Sequence, residues 1–217
     1  MSIPRLLDHV VIAGPDLAQL VDWFRELTGV TAAPGGTHPT GTANALVALT
    51  VDGEQGPRYL ELIGPDPERE GEELPKTFSI NRLRKPTLIT YAVHPEDIEQ
   101  VVEHARAEGV DPGDVQALSR RTADGAELQW RLTQAKAPRN YAIPFLIDWG
   151  GTPHPGLDAA LPAVELVSFE RIEVNPAPQQ KALDALGLGD GVTAIREAPG
   201  SRFVLHLRTA DGRDVEI

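Results

Sequence analysis

The stretch LDHVVIAGPDLAQLVDWFRELTGV, residues 7–30, has the pattern of one small folding unit. Its first seven residues are mostly β-branched or apolar, as in a buried strand, and they end at a Gly-Pro turn. An apolar stripe with helical spacing then follows at Leu17, Leu20, Val21, Phe24 and Leu27. Gly29 stands where a helix C-cap is expected. The stretch therefore predicts a strand, a turn and an amphipathic helix.

Two later stretches repeat this order, LITYAVHPEDIEQVVEHARAEGV at 88–110 and FERIEVNPAPQQKALDALGL at 169–188. Their prolines, Pro95 and Pro176, follow Pro15 at intervals of 80 and 81 residues. That period is too long for a solenoid repeat and indicates a duplicated α/β module.

Further strands are predicted after each helix. They are a short one near Thr31, then 44–51 and 58–64; segments near 115–119, 127–135 and 142–150; and TAIREA, RFVLHLRT and RDVEI in the last part of the chain. The order is β-α-β-β-β twice, with a similar third piece. We predict one compact α+β domain: a first module at 1–64, a linker at 65–86, a second module at 87–150, a linker at 151–166 and a C-terminal β-α-β flank at 167–217.

Composition excludes several classes of protein. The 217 residues carry a net charge of -12, which disfavours nucleic acid and anionic membranes as partners. There is no cysteine, so a metal would need His, Asp or Glu ligands. No apolar run is long enough to span a membrane, and the first residues lack the layout of a signal peptide. Both observations predict a cytoplasmic location. Dinucleotide, Ser-nucleophile and HExxH motifs are also missing, so neither a nucleotide nor a flavin is expected.

The stretches LDHVVIAGPDL, GGTHPTGTANALVAL and YLELIG, with LQWRL and PFLIDWG in the second half, resemble the glyoxalase-like domain family. That family belongs to the vicinal oxygen chelate superfamily of glyoxalase I, bleomycin-resistance proteins and extradiol dioxygenases. The resemblance covers essentially the whole chain. It implies paired βαβββ modules that form a curved mixed sheet around a cavity, with an additional C-terminal βαββ-like piece here.

Strand alternation places His9 and Glu61 on corresponding faces of two strands. His9 would share a face with Leu7 and Val11, and Glu61 a face with Tyr59 and Ile63. The resemblance implies that these two positions supply the first module's ligands for a divalent metal. The alternative is a buried His-Glu hydrogen bond that lines a pocket, because a buried carboxylate needs a partner.

The second module offers less for a metal. Ile89 stands six residues before Pro95, as His9 stands six before Pro15, and it cannot bind a metal. Asp148 is the nearest oxygen ligand, so the candidate metal set is His9, Glu61 and Asp148. A facial His and carboxylate set of this kind suits one divalent ion such as Fe, Mn, Zn or Ni.

Other candidates concern substrate binding and proton transfer. We read PGGTHPTGTAN as a Gly-rich loop whose backbone N–H groups could hold an oxyanion, with His38 as an acid/base or orienting group. The alternative is a turn in which Thr42 and Asn44 bond the backbone. Pocket-lining residues are predicted to be Asn44, Trp130, Asp148, Trp149 and His154, and core packing is the alternative for both tryptophans.

The resemblance implies a glyoxalase-like enzyme of lyase, isomerase or dioxygenase type, in which His9, His38 and Glu61 act on a small molecule with vicinal oxygens. The alternative is a non-catalytic protein that sequesters a small molecule, as bleomycin-resistance proteins do. A weaker third possibility is an interaction module whose C-terminal piece covers a sheet edge. Because both modules lie in one chain, a monomer can close the cavity, and a homodimer is also compatible.

Overall fold

The computed structural model describes residues 3–69, 71, 73–122, 125, 127–136 and 140–217. Twelve strands are found in this part of the chain: β1 (Leu7–Ala13), β2 (Ala33–Thr37), β3 (Thr42–Val51), β4 (Glu54–Pro65), β5 (Thr87–Val93), β6 (Asp114–Thr122), β7 (Glu127–Gln134), β8 (Phe145–Asp148), β9 (Ala163–Glu173), β10 (Ala194–Glu197), β11 (Arg202–Arg208) and β12 (Asp214–Glu216). The helices are α1 (Leu17–Thr28), α2 (Ile98–Ala107) and α3 (Ala177–Asp184). Short 3₁₀ segments lie at Pro67–Arg69, Thr77–Arg82, Pro155–Leu157 and Gly189–Gly191.

Eight strands close into a ring in the order β3-β2-β6-β7-β8-β5-β1-β4, with β4 pairing back to β3. Each module pairs its first and last strand in parallel, β1 with β4 and β5 with β8. The modules join through the antiparallel pairs β1–β5 and β2–β6. The predicted α+β class and the curved mixed sheet are confirmed.

The third unit extends this ring sideways. Strand β9 pairs in parallel with the end of β3, and β11 and β12 continue outward from β9. Strand β10 pairs with β9 over Ala194–Glu197. The C-terminal segment therefore contributes its strands to the same sheet as the two modules.

The helices begin and end where local chemistry requires. Asp16 caps α1 by accepting a hydrogen bond from the Gln19 N–H, and Asp97 caps α2 through Gln100 in the same way. Gly29 adopts a left-handed conformation with φ 78° and closes α1, as predicted. None of the helices in the described ranges is long and apolar enough to span a membrane.

The main hydrophobic cluster lies between the outer face of the sheet and the helices. It contains Leu20 and Phe24 of α1, Ile98 and Val102 of α2, and Leu183 of α3. Two smaller clusters lie on the inner face of the ring, one around Trp130 and Trp149 and one around Val11 and Ile63. The sheet is thus apolar on both faces, and its inner face surrounds a cavity.

Tyr91 of β5 links the second module to the C-terminal unit. Its ring packs edge-on against Phe169 and Phe203, with centroids 5.2 and 5.6 Å away. Its hydroxyl oxygen accepts a hydrogen bond from the backbone N–H of Thr193 at 3.1 Å. All four residues are buried, so this contact fixes the C-terminal unit against the ring.

We expect Tyr91→Phe to lower the free energy of unfolding by about 1–3 kcal/mol, because the buried Thr193 N–H loses its acceptor. Urea denaturation monitored by circular dichroism measures the change. Tyr141→Phe removes a hydroxyl from a partly exposed tyrosine whose bond to Ser79 is 3.3 Å long, and it serves as the matched control. Equal losses in the two variants would contradict the linking role of Tyr91.

Candidate functional site

The ring of strands encloses a cavity of about 1070 Å³. Both modules contribute to its wall, together with the segment Lys76–Arg82. Of the side chains predicted from the sequence, six line this cavity: His9, His38, Asn44, Glu61, Trp130 and Trp149. The other two, Asp148 and His154, lie elsewhere.

The start of β1 departs from strict alternation. The pairing of β1 with β5 shifts register between Leu7 and His9, and Leu7 packs with Val10 and Ile12 in the main cluster. The expectation that Leu7 shares a face with His9 is therefore wrong, because the irregularity interrupts the two-residue period. Asp8, expected on the opposite face, instead places its Oδ1 atom 2.6 Å from His9 Nδ1.

Asp8 is a buried carboxylate that collects three donors. In addition to His9, the Trp149 indole donates to Oδ2 at 2.9 Å and His154 Nε2 lies 3.0 Å from the same atom. The Gly156 N–H donates to His154 Nδ1, so the hydrogen of His154 is on Nε2 and points at Asp8. Burial raises the pKa of Asp8, but the hydrogen bonds from His154 and His9 outweigh it and the pKa lies well below its ordinary value.

This carboxylate fixes the tautomer of His9. An ionised Asp8 accepts only, so Nδ1 of His9 carries the hydrogen and a neutral ring presents a lone pair at Nε2. The Nε2 atom lies 3.9 Å from Oε2 of Glu61. Tyr59 stacks on the imidazole at 4.6 Å and Phe145 meets it edge-on at 5.3 Å. His9 is therefore held rigidly, with one free nitrogen facing a carboxylate.

Glu61 is held by Asn44 of the neighbouring strand. The Asn44 amide donates to Glu61 Oε1 at 2.6 Å, and both side chains are buried. Asn44 fits only because residue 35 is glycine, since a Cβ there would lie 2.2 Å from Asn44 Oδ1. One oxygen of Glu61 is thus fixed, and the other faces His9.

The segment predicted as a Gly-rich loop is largely a strand. Ala33–Thr37 forms β2, which pairs with β3 and β6, so backbone groups that were expected to hold an oxyanion pair with neighbouring strands. His38 follows β2, and its Nδ1 lies 3.0 Å from the Thr42 hydroxyl. Burial lowers the pKa of His38 below its ordinary 6.5, although Glu61 raises it in part. His38 is therefore neutral at pH 7.

The predicted metal set does not converge. Asp148 lies opposite Arg131 in the β7–β8 pairing and forms an ion pair with it, while its strand neighbours Phe145 and Ile147 line the cavity. Alternation along β8 turns the Asp148 side chain to the other face of the sheet. Within the described ranges no three His, Asp or Glu side chains are grouped to hold a metal ion.

The pairing of β1 with β5 shows what the second module carries instead. Val10 lies opposite Tyr91, so an approximate two-fold axis relates the residues before them, His9 and Thr90. The predicted counterpart, Ile89, was wrong by one residue, because Pro15 directly precedes the N-cap Asp16 of α1 whereas Pro95 stands two residues before the N-cap Asp97 of α2.

The same axis relates Glu61 to an apolar residue. Val11 pairs with Glu61, and its counterpart Ala92 pairs with Phe145. A catalytic metal usually has three protein ligands. The paired positions supply two donors, one imidazole and one carboxylate, both from the first module, and the residues do not fit the divalent ion that the superfamily resemblance implies.

The sequence analysis missed three contributors to this site. Asp8 is adjacent to His9, and a buried carboxylate beside a histidine could have indicated the pair. Arg120 of β6 lines the cavity with only 5% of its surface exposed, but β6 is largely polar and Arg121 follows directly, so the sequence offered no signal for it. The segment 76–82, which was predicted to be part of a linker, also lines the cavity. Its sequence has no periodic pattern that would have indicated this position.

Lys76–Arg82 crosses the cavity wall with a strained backbone. Phe78 and Ser79 adopt left-handed conformations, with φ of 49° and 58°, which cost about 1–2 kcal/mol for each non-glycine residue. The Ser79 hydroxyl lies 3.3 Å from the Tyr141 hydroxyl, and the Phe78 ring packs 6.2 Å from Phe145. These contacts hold the segment over the apolar end of the cavity.

Comparison with known proteins identifies the family. The model of the glyoxalase-like domain matches residues 7–187. This chain belongs to the glyoxalase-like domain family. The match supports the superfamily resemblance predicted from the sequence and extends from β1 through α3. A search of curated proteins finds no match.

Solved structures with similar folds include a hypothetical protein from Staphylococcus aureus. It is 18% identical, the alignment covers 97% of this chain and 84% of that one, and the TM-score is 0.60. Methylmalonyl-CoA epimerase from Mycobacterium tuberculosis is 19% identical over 68% of this chain and 88% of its own, with a TM-score of 0.38. A methylmalonyl-CoA epimerase in complex with methylmalonyl-CoA and NH4+ is 21% identical. The alignment covers 71% of this chain and 100% of that one, and the TM-score is 0.45. The first likeness shows the fold of this glyoxalase-like chain.

Gly35→Ala should disturb the site through Asn44. The added Cβ would overlap Asn44 Oδ1, so Asn44 must move and Glu61 loses its buried donor. We expect a loss of about 1–3 kcal/mol in the free energy of unfolding, measured by urea denaturation. Gly151→Ala, where a Cβ meets nothing within 4 Å, is the control and should change stability by less than about 0.5 kcal/mol. Similar values for both variants would contradict this packing.

Asp8→Asn tests the buried carboxylate. Because the pKa of Asp8 is lower in the folded protein than its ordinary 3.8, its stabilisation is present above that pH and is lost as the pH falls. The variant should lose about 3–5 kcal/mol at pH 7. Below about pH 5 the unfolding free energy of the wild type should fall more steeply than that of the variant. Parallel pH profiles between pH 7 and pH 3 would contradict the assignment.

Proposed function

We propose that this chain is a small-molecule enzyme, of isomerase or lyase type, that moves a proton from a carbon next to a carbonyl group. The observation that supports this most is the arrangement of His9. Its Nδ1 is bound to the buried Asp8 carboxylate and its Nε2 faces Glu61 across 3.9 Å. A base oriented by a carboxylate, with a second group able to transfer a proton beside it in a cavity, is the arrangement that general acid–base catalysis requires.

In the proposed step the lone pair of His9 Nε2 takes a proton from the carbon next to the carbonyl group. The electron pair of the C–H bond moves into a new carbon–carbon double bond, and the carbonyl oxygen becomes an enolate oxygen. Asp8 stabilises the imidazolium that forms, as a buried carboxylate does in other catalytic pairs. The proton then returns to the same or a neighbouring carbon, so the step needs no oxidant or reductant.

Glu61 and the neutral His38 are the groups available for the second proton transfer. Glu61 Oε2 lies 3.9 Å from His9 Nε2, too close for a substrate atom to fit between them, so one substrate in the cavity can contact both groups from the same side. His38 is also in the cavity wall, and burial keeps it neutral at pH 7.

The cytoplasmic location and the monomer or homodimer state stay predictions.

Hydrogen–deuterium exchange tests the proposed step. Enolisable carbonyl compounds, namely 2-oxo acids, their methyl esters and hydroxyketones, are incubated with the protein in D₂O and followed by proton NMR. We expect wild-type protein to accelerate exchange at the carbon next to the carbonyl of at least one compound. His9→Gln and Glu61→Gln should lower that rate by roughly 10²–10⁴-fold, the usual contribution of a general acid or base.

His104→Gln is the matched control, because His104 is exposed on α2 and lies outside the cavity wall. Exchange that is as fast in His9→Gln as in the wild type would overturn the proposed role of His9. Compounds that bind to the wild type without any exchange would overturn proton transfer as the activity.

A second candidate function is sequestration of a small molecule without turnover. The aromatic wall of the cavity favours it: Trp130 and Trp149 lie 5.6 Å apart, and Phe78, Tyr141 and Phe145 also line the cavity. Such surfaces bind flat or apolar ligands in proteins that only store them. Under this function, binding measured by calorimetry is retained in a His9→Gln, Glu61→Gln double variant and no exchange occurs in the wild type.

A further inference from the structure

The cavity wall is positively charged within an acidic protein. The chain has a net charge of -12, yet the charged side chains of the wall are Lys76, Arg82 and Arg120 against the single carboxylate of Glu61, among the residues that the structure describes. Lys76 and Arg82 are exposed, whereas Arg120 is buried. A concave, low-dielectric surface with this excess of cations concentrates small anions.

Arg120 is held in place by backbone and not by a carboxylate. Its Nη1 donates to the carbonyl oxygen of Gly35 on β2. Over residues 3–69, 71, 73–122, 125, 127–136 and 140–217, no Asp or Glu forms an ion pair with its guanidinium. Burial lowers its pKa, and Tyr59 and Glu61 raise it in part, so these groups lie within electrostatic reach.

A buried guanidinium in this position is stabilised by a hydrogen-bonded anion. The group has five N–H donors, and taking an ion out of water costs several kcal/mol unless it is paired. Arg120 faces the cavity from β6 on the same side as Leu118; on β7, Leu128 pairs with Arg120 and Trp130 pairs with Leu118. These apolar neighbours cannot offer acceptors from their side chains. The remaining donors are therefore available to a ligand in the cavity.

We propose that Arg120 binds the carboxylate of the substrate, so that the substrate is a small organic acid with an enolisable carbonyl group. This inference rests on the proposed function, because it places the reacting carbon between Arg120 and the His9–Glu61 pair. The planar fork of arginine matches a carboxylate with two parallel hydrogen bonds. Lys76 and Arg82 attract the anion at the rim, and Trp130 contacts its apolar part.

Equilibrium binding separates this inference from the proposed catalysis. Pyruvate, 2-oxobutyrate and oxaloacetate are titrated by calorimetry against wild-type protein, with the methyl esters of the first two as neutral controls. We expect pyruvate and 2-oxobutyrate each to bind roughly 10- to 100-fold more tightly than its methyl ester, the factor that corresponds to one charge-assisted interaction. Esters that bind as tightly as the acids would overturn the inference.

Substitutions of Arg120 test whether this residue causes the preference for acids over esters. Arg120→Met should remove the preference for acids, and Arg120→Lys, which keeps the charge without the fork, should keep part of it. Arg131→Met is the matched control, because Arg131 is on β7 and pairs with Asp148 outside the cavity. Thermal unfolding shows which variants are folded, and if Arg120→Met is not, Arg120→Lys and the comparison of acids with esters still decide. An unchanged preference in a folded Arg120 variant would overturn the inference.

Three further outcomes are informative. Inorganic phosphate that binds more tightly than every acid tested would overturn the assignment to carboxylates. His9→Gln that binds acids normally but no longer exchanges deuterium would support both the anion site and the proposed proton transfer. A wild type that prefers acids over esters but exchanges no deuterium would retain the anion site and overturn the proposed function alone.

Discussion

The rest of the site depends on the hydrogen bonds to the buried carboxylate of Asp8. Three N–H donors converge on it, from His9 on its own strand and from Trp149 and His154 beyond β8. A buried ion survives only when its acceptors are satisfied, so these three side chains are held together by the cost of separating them. One contact network thereby orients His9, holds Trp149 in the aromatic part of the cavity wall and attaches the segment after β8 to the first strand.

The sequence predicted the architecture because the fold rests on repeated local signals. The strand–Pro–helix order recurs at intervals of 80 and 81 residues, and burial on both faces of the sheet makes β1, β3 and β5 largely apolar. Alternation along β4 correctly grouped Tyr59, Glu61 and Ile63, because that stretch is regular. Such patterns depend on nearest neighbours and on backbone period, which a single sequence contains.

The rest of the site could not be predicted, because it depends on interruptions and on distant contacts. The irregularity at the start of β1 reversed the expected side of Asp8. Asp148 was chosen for its chemistry, but the direction of its side chain follows from the register of β8 against β7. Arg120 and the segment 76–82 line the same cavity as His9 only because the ring closes, and no spacing rule relates residues that far apart in the chain.

The two modules share one topology but differ in the side chains at equivalent positions, and this difference affects how a ligand can be oriented in the cavity. The axis that relates β1 to β5 carries His9 and Glu61 onto Thr90 and Phe145. With identical halves, the cavity would accept a molecule equally well in either of two reversed poses. Replacement of a carboxylate by a phenyl ring removes one of those poses. The duplicated fold thus encloses an asymmetric cavity, and such a cavity would hold a ligand in one orientation.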